Sequence, residues 1–166
     1  LMEVMGLHLP GAAFVHPHDD LRHALTIAAA QRVIELSRQK GAAQPIGEML
    51  DERSFVNAIV GLHATGGSTN HTLHLPAMAA AAGITLTWQD FADLSEITPL
   101  LARVYPNGSA DVNHFHAAGG MGFVIAELLE SGLLDGSAKT AGGADLHDYG
   151  SEPFLDGGNL VWRAAP

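Results

Sequence analysis

Glycine and proline breaks recur along this chain of 166 residues and restrict it to short secondary-structure elements. They fall at Leu9-Pro10-Gly11, Gly41, Pro45, Gly66-Gly67, Gly83, Pro106-Asn107-Gly108, Gly119-Gly120 and Gly132. These residues are the strongest interrupters of helices and strands. Between the breaks, apolar residues recur at the spacing of one helix face. We therefore predict a mainly α fold of packed helices with one or two short strands.

The clearest predicted helix begins after Asp19 or Asp20, both good N-terminal caps. It ends at Gly41, since Arg38 and Lys40 suit the last turn of a helix. Further helices are predicted over residues 51–63, 68–82, 88–94, 111–118 and 121–131, with another helical turn beginning at Ile97. Residues 1–9 are expected to be the tail of a helix entered midway.

The last part of the chain has a different character. Residues 135–158 are rich in glycine and acidic residues, and we expect a mobile surface linker there. Residues 160–163 suit a single strand without a partner. We expect residues 1–134 to be the helical part of a domain, and residues 135–166 to lead toward a further domain that is absent here.

Composition excludes several classes of function. Eight basic against 18 acidic side chains give a net charge of −10, which argues against nucleic-acid binding because that needs a basic face. No apolar run approaches the length of about 20 residues that spans a membrane. Without cysteine the chain has no disulfide, no thiolate nucleophile and no thiolate ligand for a metal.

Ten histidines raise the question of a histidine-built metal site. The pairs are His16/His18, His71/His74 and His114/His116, and none has the spacing of four residues with a glutamate that marks a two-histidine metalloprotease helix. Roles in capping, packing and the surface are favoured, so no metal ligand is predicted in this chain.

Two segments have the composition of ligand sites. Thr65-Gly66-Gly67-Ser68-Thr69-Asn70 places two glycines before a predicted helix start, where free N–H groups favour an anion or a hydroxyl-rich ligand. Asn113-His114-Phe115-His116 precedes the break at Gly119-Gly120. The alternative for the first segment is an ordinary capped helix start, and for the second a plain helix–helix corner.

Longer motifs resemble a known family. They are Ala64-Thr65-Gly66-Gly67-Ser68-Thr69-Asn70-His71, Leu73-His74-Leu75, Ala82-Gly83-Ile84, Trp88-Gln89-Asp90-Phe91-Ala92-Asp93-Leu94-Ser95, Tyr105-Pro106-Asn107-Gly108 and Asp111-Val112-Asn113-His114-Phe115 before Ala117-Ala118-Gly119-Gly120. Together they resemble the dihydroxy-acid and 6-phosphogluconate dehydratase family over most of residues 1–134. His71 and the Asn113-His114-Phe115 triplet resemble its 6-phosphogluconate branch.

The resemblance implies a cytoplasmic hydro-lyase, of which this chain is a fragment of the N-terminal α/β domain. The full-length enzyme would remove water from 6-phospho-D-gluconate, a step of the Entner–Doudoroff pathway, as a homodimer or larger homo-oligomer. The resemblance implies a 4Fe-4S cluster held by cysteines and acting as a Lewis acid, and it allows a divalent metal ion as well. Its substrate would be a small sugar-acid phosphate, without nucleic-acid or membrane partners.

The same resemblance places the last cluster cysteine shortly upstream of Leu1 and the proton-accepting base in a later domain. No catalytic residue is therefore predicted in this chain. The predicted substrate-binding residues are Gly66, Gly67, Ser68, Thr69, Asn70, His71, Asn113 and His114.

Two alternatives stay open. The first is a dihydroxy-acid dehydratase, or another sugar-acid dehydratase, of the same family. The second belongs to a different class, a non-catalytic helical domain used for assembly, because a fragment would expose apolar surface.

A first prediction concerns the isolated chain. Without cysteine thiolates it should bind no iron–sulfur cluster and should not turn over 6-phospho-D-gluconate. Iron analysis after anaerobic reconstitution, together with a turnover assay, measures both properties. Stoichiometric iron or measurable turnover would refute the prediction.

Overall fold

A computed structural model of the chain describes residues 1–38 and 43–166. Within them the fold is mainly α, as predicted, with one two-stranded sheet. The helices are α1 (Asp20–Arg38), α2 (Ile46–Met49), α3 (Glu52–Ala64), α4 (His71–Ala81), α5 (Trp88–Ile97), α6 (Val112–Ala117) and α7 (Gly120–Glu130). A 3₁₀ turn, Leu146–Tyr149, precedes the strands β1 (Ser151–Asp156) and β2 (Asn159–Ala164).

Helix α3 is the centre of the fold. Its first turn is capped by Asp51, whose carboxylate accepts the N–H of Ser54 at 3.3 Å. One set of its buried side chains, including Val60 and Ala64, packs with α7. Another set, including Phe55, packs with α4 and α5. Since both sets are removed from water, α3 is apolar on most of its surface.

Two clusters of buried residues therefore share α3. The α3–α7 cluster consists of Val4, Val60, Ala64, Met121, Val124, Ile125, Leu128, Leu134, Leu146 and Tyr149. The α3–α5 cluster consists of Met5, Phe55, Ala58, Ile59, Leu62, Leu75, Ala79 and Phe91. The consecutive residues Val4 and Met5 belong one to each cluster, so the start of the described chain crosses the core.

The predicted helices are observed with modest shifts at their ends. Thr87 and Asp90 form a reciprocal capping box at the start of α5. Ile97 ends α5 instead of beginning a further helical turn. The Lys40 and Gly41 part of the predicted α1 terminus lies outside the described residues.

Residues 1–7 have the hydrogen bonds of a helix's closing turn, in agreement with the predicted helix tail, although they form no named helix. The N–H of Leu7 donates to the carbonyl of Met2 at 2.7 Å, as in the Schellman arrangement. The N–H of Met5 donates to the carbonyl of Leu1 at 2.9 Å, and the N–H of Gly6 donates to the carbonyl of Glu3 at 2.9 Å. Gly6 then takes a positive φ of 73°, which a side chain would disfavour and which ends the helical conformation. We call residues 1–7 the N-terminal turn.

The prediction of a mobile surface linker over residues 135–158 is wrong for its first part, because residues 135–149 pack against the core. Leu146 and Tyr149 are completely buried in the α3–α7 cluster. The Tyr149 hydroxyl donates to the carbonyl of His8 at 2.6 Å, and it accepts the N–H of Gly142 at 3.1 Å. Apolar residues spaced widely among glycines gave no helical or strand period, so the sequence pattern concealed this packing.

The strand predicted without a partner has one. Ser151–Asp156 pairs antiparallel with Asn159–Ala164, and Asp156 faces Asn159 across the turn. Gly157 and Gly158 form that turn with φ of 55° and 88°, the conformation that two-residue hairpins require. A Gly-Gly pair between two short apolar runs is the sequence signal for such a hairpin.

No helix in residues 1–38 and 43–166 is long and apolar enough to cross a membrane. The division of the chain after residue 134, and a further domain beyond residue 166, stay predictions.

A second prediction tests the attachment of the 135–149 segment. The buried side-chain amide of Asn57 donates to the carbonyl of Asp135 at 3.0 Å and accepts its N–H at 2.9 Å. Asn57→Ala should lower the free energy of unfolding by about 2 kcal/mol, because two backbone groups lose their partners. Urea denaturation measures this loss.

The control is Gln89→Ala, since Gln89 is exposed and, within residues 1–38 and 43–166, its side chain bonds only to Asp93 of the same helix. It should change stability by less than about 0.5 kcal/mol. Equal effects of the two substitutions would contradict the attachment.

Candidate functional site

The end of α3 shapes the first predicted site. Gly66 has a positive φ of 56°, and its N–H donates to the carbonyl of His63 at 3.2 Å. The N–H of Gly67 donates to the carbonyl of Leu62 at 2.9 Å. This is the Schellman arrangement that ends many helices. Both glycines therefore terminate α3, and their N–H groups are not free for a ligand.

The free donors lie one and two residues further on. We call residues 65–70 the glycine loop. Among the described residues, the N–H groups of Ser68 and Thr69 have no hydrogen-bond partner. The first N–H groups of α4 are taken, since those of His71, Thr72 and Leu73 donate to carbonyls three residues earlier. The expected N–H donors are thus present, but they precede the helix and are not its tip.

The helix predicted over residues 68–82 begins later, at His71, with Asn70 in the cap position. The Asn70 side chain makes no capping hydrogen bond. The Ser68 hydroxyl instead accepts the N–H of Asn70 at 3.3 Å. The Thr69 hydroxyl has no partner among the described residues and stays available.

A cavity of about 530 Å³ opens beside the glycine loop. We call it the loop cavity. Its polar lining includes Glu3, Thr65, Ser68, Thr69, His71 and Asn107, and its apolar lining includes Leu1, Val4, Phe14, Leu62, Phe115 and Met121. None of the described residues that line it is lysine or arginine.

Asn107 connects the far wall of the cavity to the glycine loop. Its side-chain amide donates to the carbonyl of Gly66. The motif Tyr105-Pro106-Asn107-Gly108 therefore has a direct structural relation to the glycine pair, although the two are about 40 residues apart. Tyr105 itself is largely exposed at the rim.

The structure divides the eight predicted site residues. Gly66, Gly67, Ser68, Thr69 and His71 line the loop cavity, whereas Asn70, Asn113 and His114 do not. Asn113 and His114 are exposed at the start of α6, where the Asp111 carboxylate accepts both of their N–H groups. From that segment only the Phe115 ring reaches the cavity. The substrate-binding roles of all eight stay predictions.

The surroundings of His71 favour its neutral form. Partial burial lowers the pKa of its imidazole below the usual 6.5, and neighbouring positive charge, including that of His74, lowers it further. The two rings lie 5.6 Å apart between centroids. His71 can therefore donate and accept one hydrogen bond each without bringing a positive charge to the cavity.

Glu3 is a lining residue that sequence reasoning missed. Its side chain is only 1 % exposed, and its two carboxyl oxygens accept the N–H groups of Gly11 at 2.5 Å and Ala13 at 3.1 Å. Burial raises the pKa of Glu3 to about 7, against the opposing effect of these two hydrogen bonds. Its one sequence signal is a lone acidic residue within the apolar run of residues 1–9.

The described residues contain no group of three or more histidine, aspartate or glutamate side chains that could hold a metal ion. Two aspartate–histidine pairs, Asp111/His114 and Asp145/His147, lie at the surface, and each consists of one aspartate and one histidine.

Comparison with known proteins gives a consistent match. The family described as dihydroxy-acid/6-phosphogluconate dehydratase N-terminal matches residues 1–149. A phosphogluconate dehydratase of Pseudomonas aeruginosa is 57% identical over the whole chain, and one of Rhizobium meliloti is 58% identical over the whole chain. A dihydroxy-acid dehydratase of Nitratidesulfovibrio vulgaris is 38% identical over 88% of it. The chain spans only 26 to 28% of the length of these relatives.

A third prediction tests the glycine loop against a matched glycine. Gly83 also has a positive φ, of 77°, but a Cβ there would meet open space. At Gly66 a Cβ would lie 2.7 Å from the amide nitrogen of Asn107. Gly83→Ala should cost about 1 kcal/mol of stability from backbone strain alone. Gly66→Ala should cost about 1 kcal/mol more, because the Asn107 hydrogen bond is displaced.

Urea denaturation of both variants gives the two losses. Equal losses would show that Asn107 does not hold the glycine loop.

Proposed function

The chain belongs to the dihydroxy-acid/6-phosphogluconate dehydratase family, and we propose that the protein of which it forms part is a phosphogluconate dehydratase. The observation that carries the proposal is the difference in similarity between the two branches. Relatives named phosphogluconate dehydratase match the whole chain at clearly higher identity than the relative named dihydroxy-acid dehydratase. The chain spans about a quarter of those relatives, so the activity belongs to the longer protein.

The proposed reaction removes water from 6-phospho-D-gluconate to give 2-dehydro-3-deoxy-6-phosphogluconate, a step of the Entner–Doudoroff pathway. The described residues contribute one wall of the substrate site and none of its chemical steps. This assignment is supported by the loop cavity, which gathers hydrogen-bond donors around a volume suited to a small molecule.

The polar groups that line the loop cavity favour the carboxylate end of the substrate over its phosphate end. The free N–H groups of Ser68 and Thr69 and the Thr69 hydroxyl can donate to a carboxylate or to sugar hydroxyls. Among the residues that the structure describes, the wall provides no lysine or arginine to face a phosphate carrying two negative charges, and it holds the buried carboxyl of Glu3. The carboxylate and neighbouring hydroxyls are therefore proposed to contact the glycine loop, and the phosphate is held by residues elsewhere in the protein.

The family resemblance also implies a 4Fe-4S cluster, and the residues of this chain do not fit it. Such clusters are held by cysteine thiolates, and the chain has no cysteine. The described histidines and carboxylates form no group that would replace them. The cluster ligands, and any divalent metal site, are assigned to polypeptide outside this chain.

A cytoplasmic location and a homo-oligomeric state come with the proposal from the family resemblance. One feature of the described residues supports association. Helix α1 buries only Leu25 and Leu36 among its nineteen residues, and Ile27, Val33 and Ile34 are exposed on it. Exposed apolar side chains on one helix are typical of a surface that meets other protein.

A fourth prediction tests the wall in the full-length protein. Thr69→Val replaces the free hydroxyl by a methyl group of the same size. It should raise KM for 6-phospho-D-gluconate about tenfold, the effect of one lost hydrogen bond of about 1.4 kcal/mol. The kcat should change less than about threefold, because the lost contact binds substrate and transition state alike. Steady-state kinetics of the reconstituted enzyme measure both constants.

The matched control is Thr26→Val, since the Thr26 hydroxyl bonds to the Arg22 carbonyl of its own helix and lines a different cavity. It should leave KM unchanged. A full-length protein that dehydrates a branched-chain dihydroxy acid but not 6-phospho-D-gluconate would overturn the proposed substrate.

A further inference from the structure

Glu3 and Arg22 bind the backbone of the same loop, Glu3 through its N–H groups and Arg22 through its carbonyls. We call residues 10–15 the Phe14 loop. The Glu3 carboxyl accepts the N–H groups of Gly11 and Ala13. The Arg22 guanidinium, on α1, donates to the carbonyls of Ala12 and Val15, with 3.0 Å from Nη2 to the Val15 oxygen. Two ionisable side chains thus satisfy two N–H groups of the loop, those of Gly11 and Ala13, and two of its carbonyls, those of Ala12 and Val15.

The loop held in this way forms part of the loop cavity. Ala13 and Phe14 line it together with Ser68 and Thr69. The Phe14 ring packs edge to face on Phe115, with centroids 5.4 Å apart and planes at 87°. An aromatic pair of this geometry has a defined preferred orientation. The position of the Phe14 loop therefore determines where the Phe14 ring lies in the apolar lining of the cavity.

Among the described residues, the buried carboxyl of Glu3 is satisfied by the Phe14 loop and not by a positively charged side chain. The Glu3 side chain is almost completely buried, and within the described residues no lysine, arginine or histidine forms an ion pair with it. Burying such a group is costly unless its hydrogen bonds are satisfied. The two loop N–H groups provide that satisfaction, so the carboxyl and the loop each require the other.

We infer that Glu3 is a positioning residue for the substrate, acting by fixing the Phe14 loop against the loop cavity, with Arg22 as its counterpart on the carbonyl side. The inference rests on the proposed function for the identity of the substrate. It assigns Glu3 no contact with the reacting atoms: the carboxyl acts through the two loop N–H groups that it accepts.

The test uses the full-length reconstituted protein with Glu3→Gln. The glutamine has the same size, but its amide nitrogen would face an N–H donor and lose one of the two hydrogen bonds. We expect KM for 6-phospho-D-gluconate to rise about tenfold, with kcat changed less than about threefold. Hydrogen exchange, followed by mass spectrometry of peptides covering residues 10–15, should become about tenfold faster.

Two further variants complete the experiment. Glu130→Gln, at an exposed glutamate on α7, is the matched control and should change neither quantity. Arg22→Lys keeps the charge but loses the forked contact with two carbonyls, and it should raise KM in the same direction as Glu3→Gln. It replaces Glu3→Gln as the deciding variant if the latter does not fold.

Unchanged KM and unchanged exchange in the Glu3 variant, or unchanged KM in the Arg22 variant, would overturn the inference. A loss of kcat that exceeds the rise in KM would also overturn it, since Glu3 would then act in the chemistry. Wild-type protein without activity on 6-phospho-D-gluconate would refute the proposed function instead, and the exchange rates would then decide whether Glu3 holds the loop.

Discussion

The burial of α3 on nearly all sides is the constraint on which the rest of the structure depends. A helix packed against α7 on one face and against α4 and α5 on another must end abruptly, because its next turn would leave the core. The Schellman turn at Gly66 and Gly67 provides that end. The carbonyl of Ala64, which the ended helix leaves free, accepts the N–H groups of Leu101 and Ala102. The chain beyond α5 is thereby brought back to the glycine loop, and Asn107 with it.

The second organising element is the N-terminal turn, which packs against α3. A Cβ at Gly61 of α3 would approach the Val4 side chain to 3.0 Å, so the turn and the helix are in close contact. The Tyr149 hydroxyl holds the turn in place, since it lies within hydrogen-bond distance of the Gly6 carbonyl, at 3.0 Å. It carries Glu3 to the Phe14 loop. The two walls of the loop cavity are thus both positioned by α3, one through its end and the other through its surface.

The sequence predicted the helices well because their signals are local. The Asp51 cap and the Thr87/Asp90 box are contained within a few residues. It predicted the glycine loop as a candidate site but assigned the glycines a different purpose, because ending one helix and preparing the next require similar residues. Tyr149 and Asn57 act through contacts with residues far away in sequence, and no periodic pattern announces such contacts. The separation of Asn113 and His114 from the cavity likewise depends on how α6 packs and not on its composition.

The central claim is that the free N–H groups of Ser68 and Thr69 face the substrate across a cavity bounded by the Phe14 loop. The most direct measurement is a crystal structure of the full-length protein with bound 6-phospho-D-gluconate under conditions that prevent turnover. We expect a carboxylate or hydroxyl oxygen of the substrate about 3 Å from one of these two nitrogens, with the phosphate away from the glycine loop. Substrate bound with no atom in the loop cavity, or with its phosphate on the glycine loop, would contradict it.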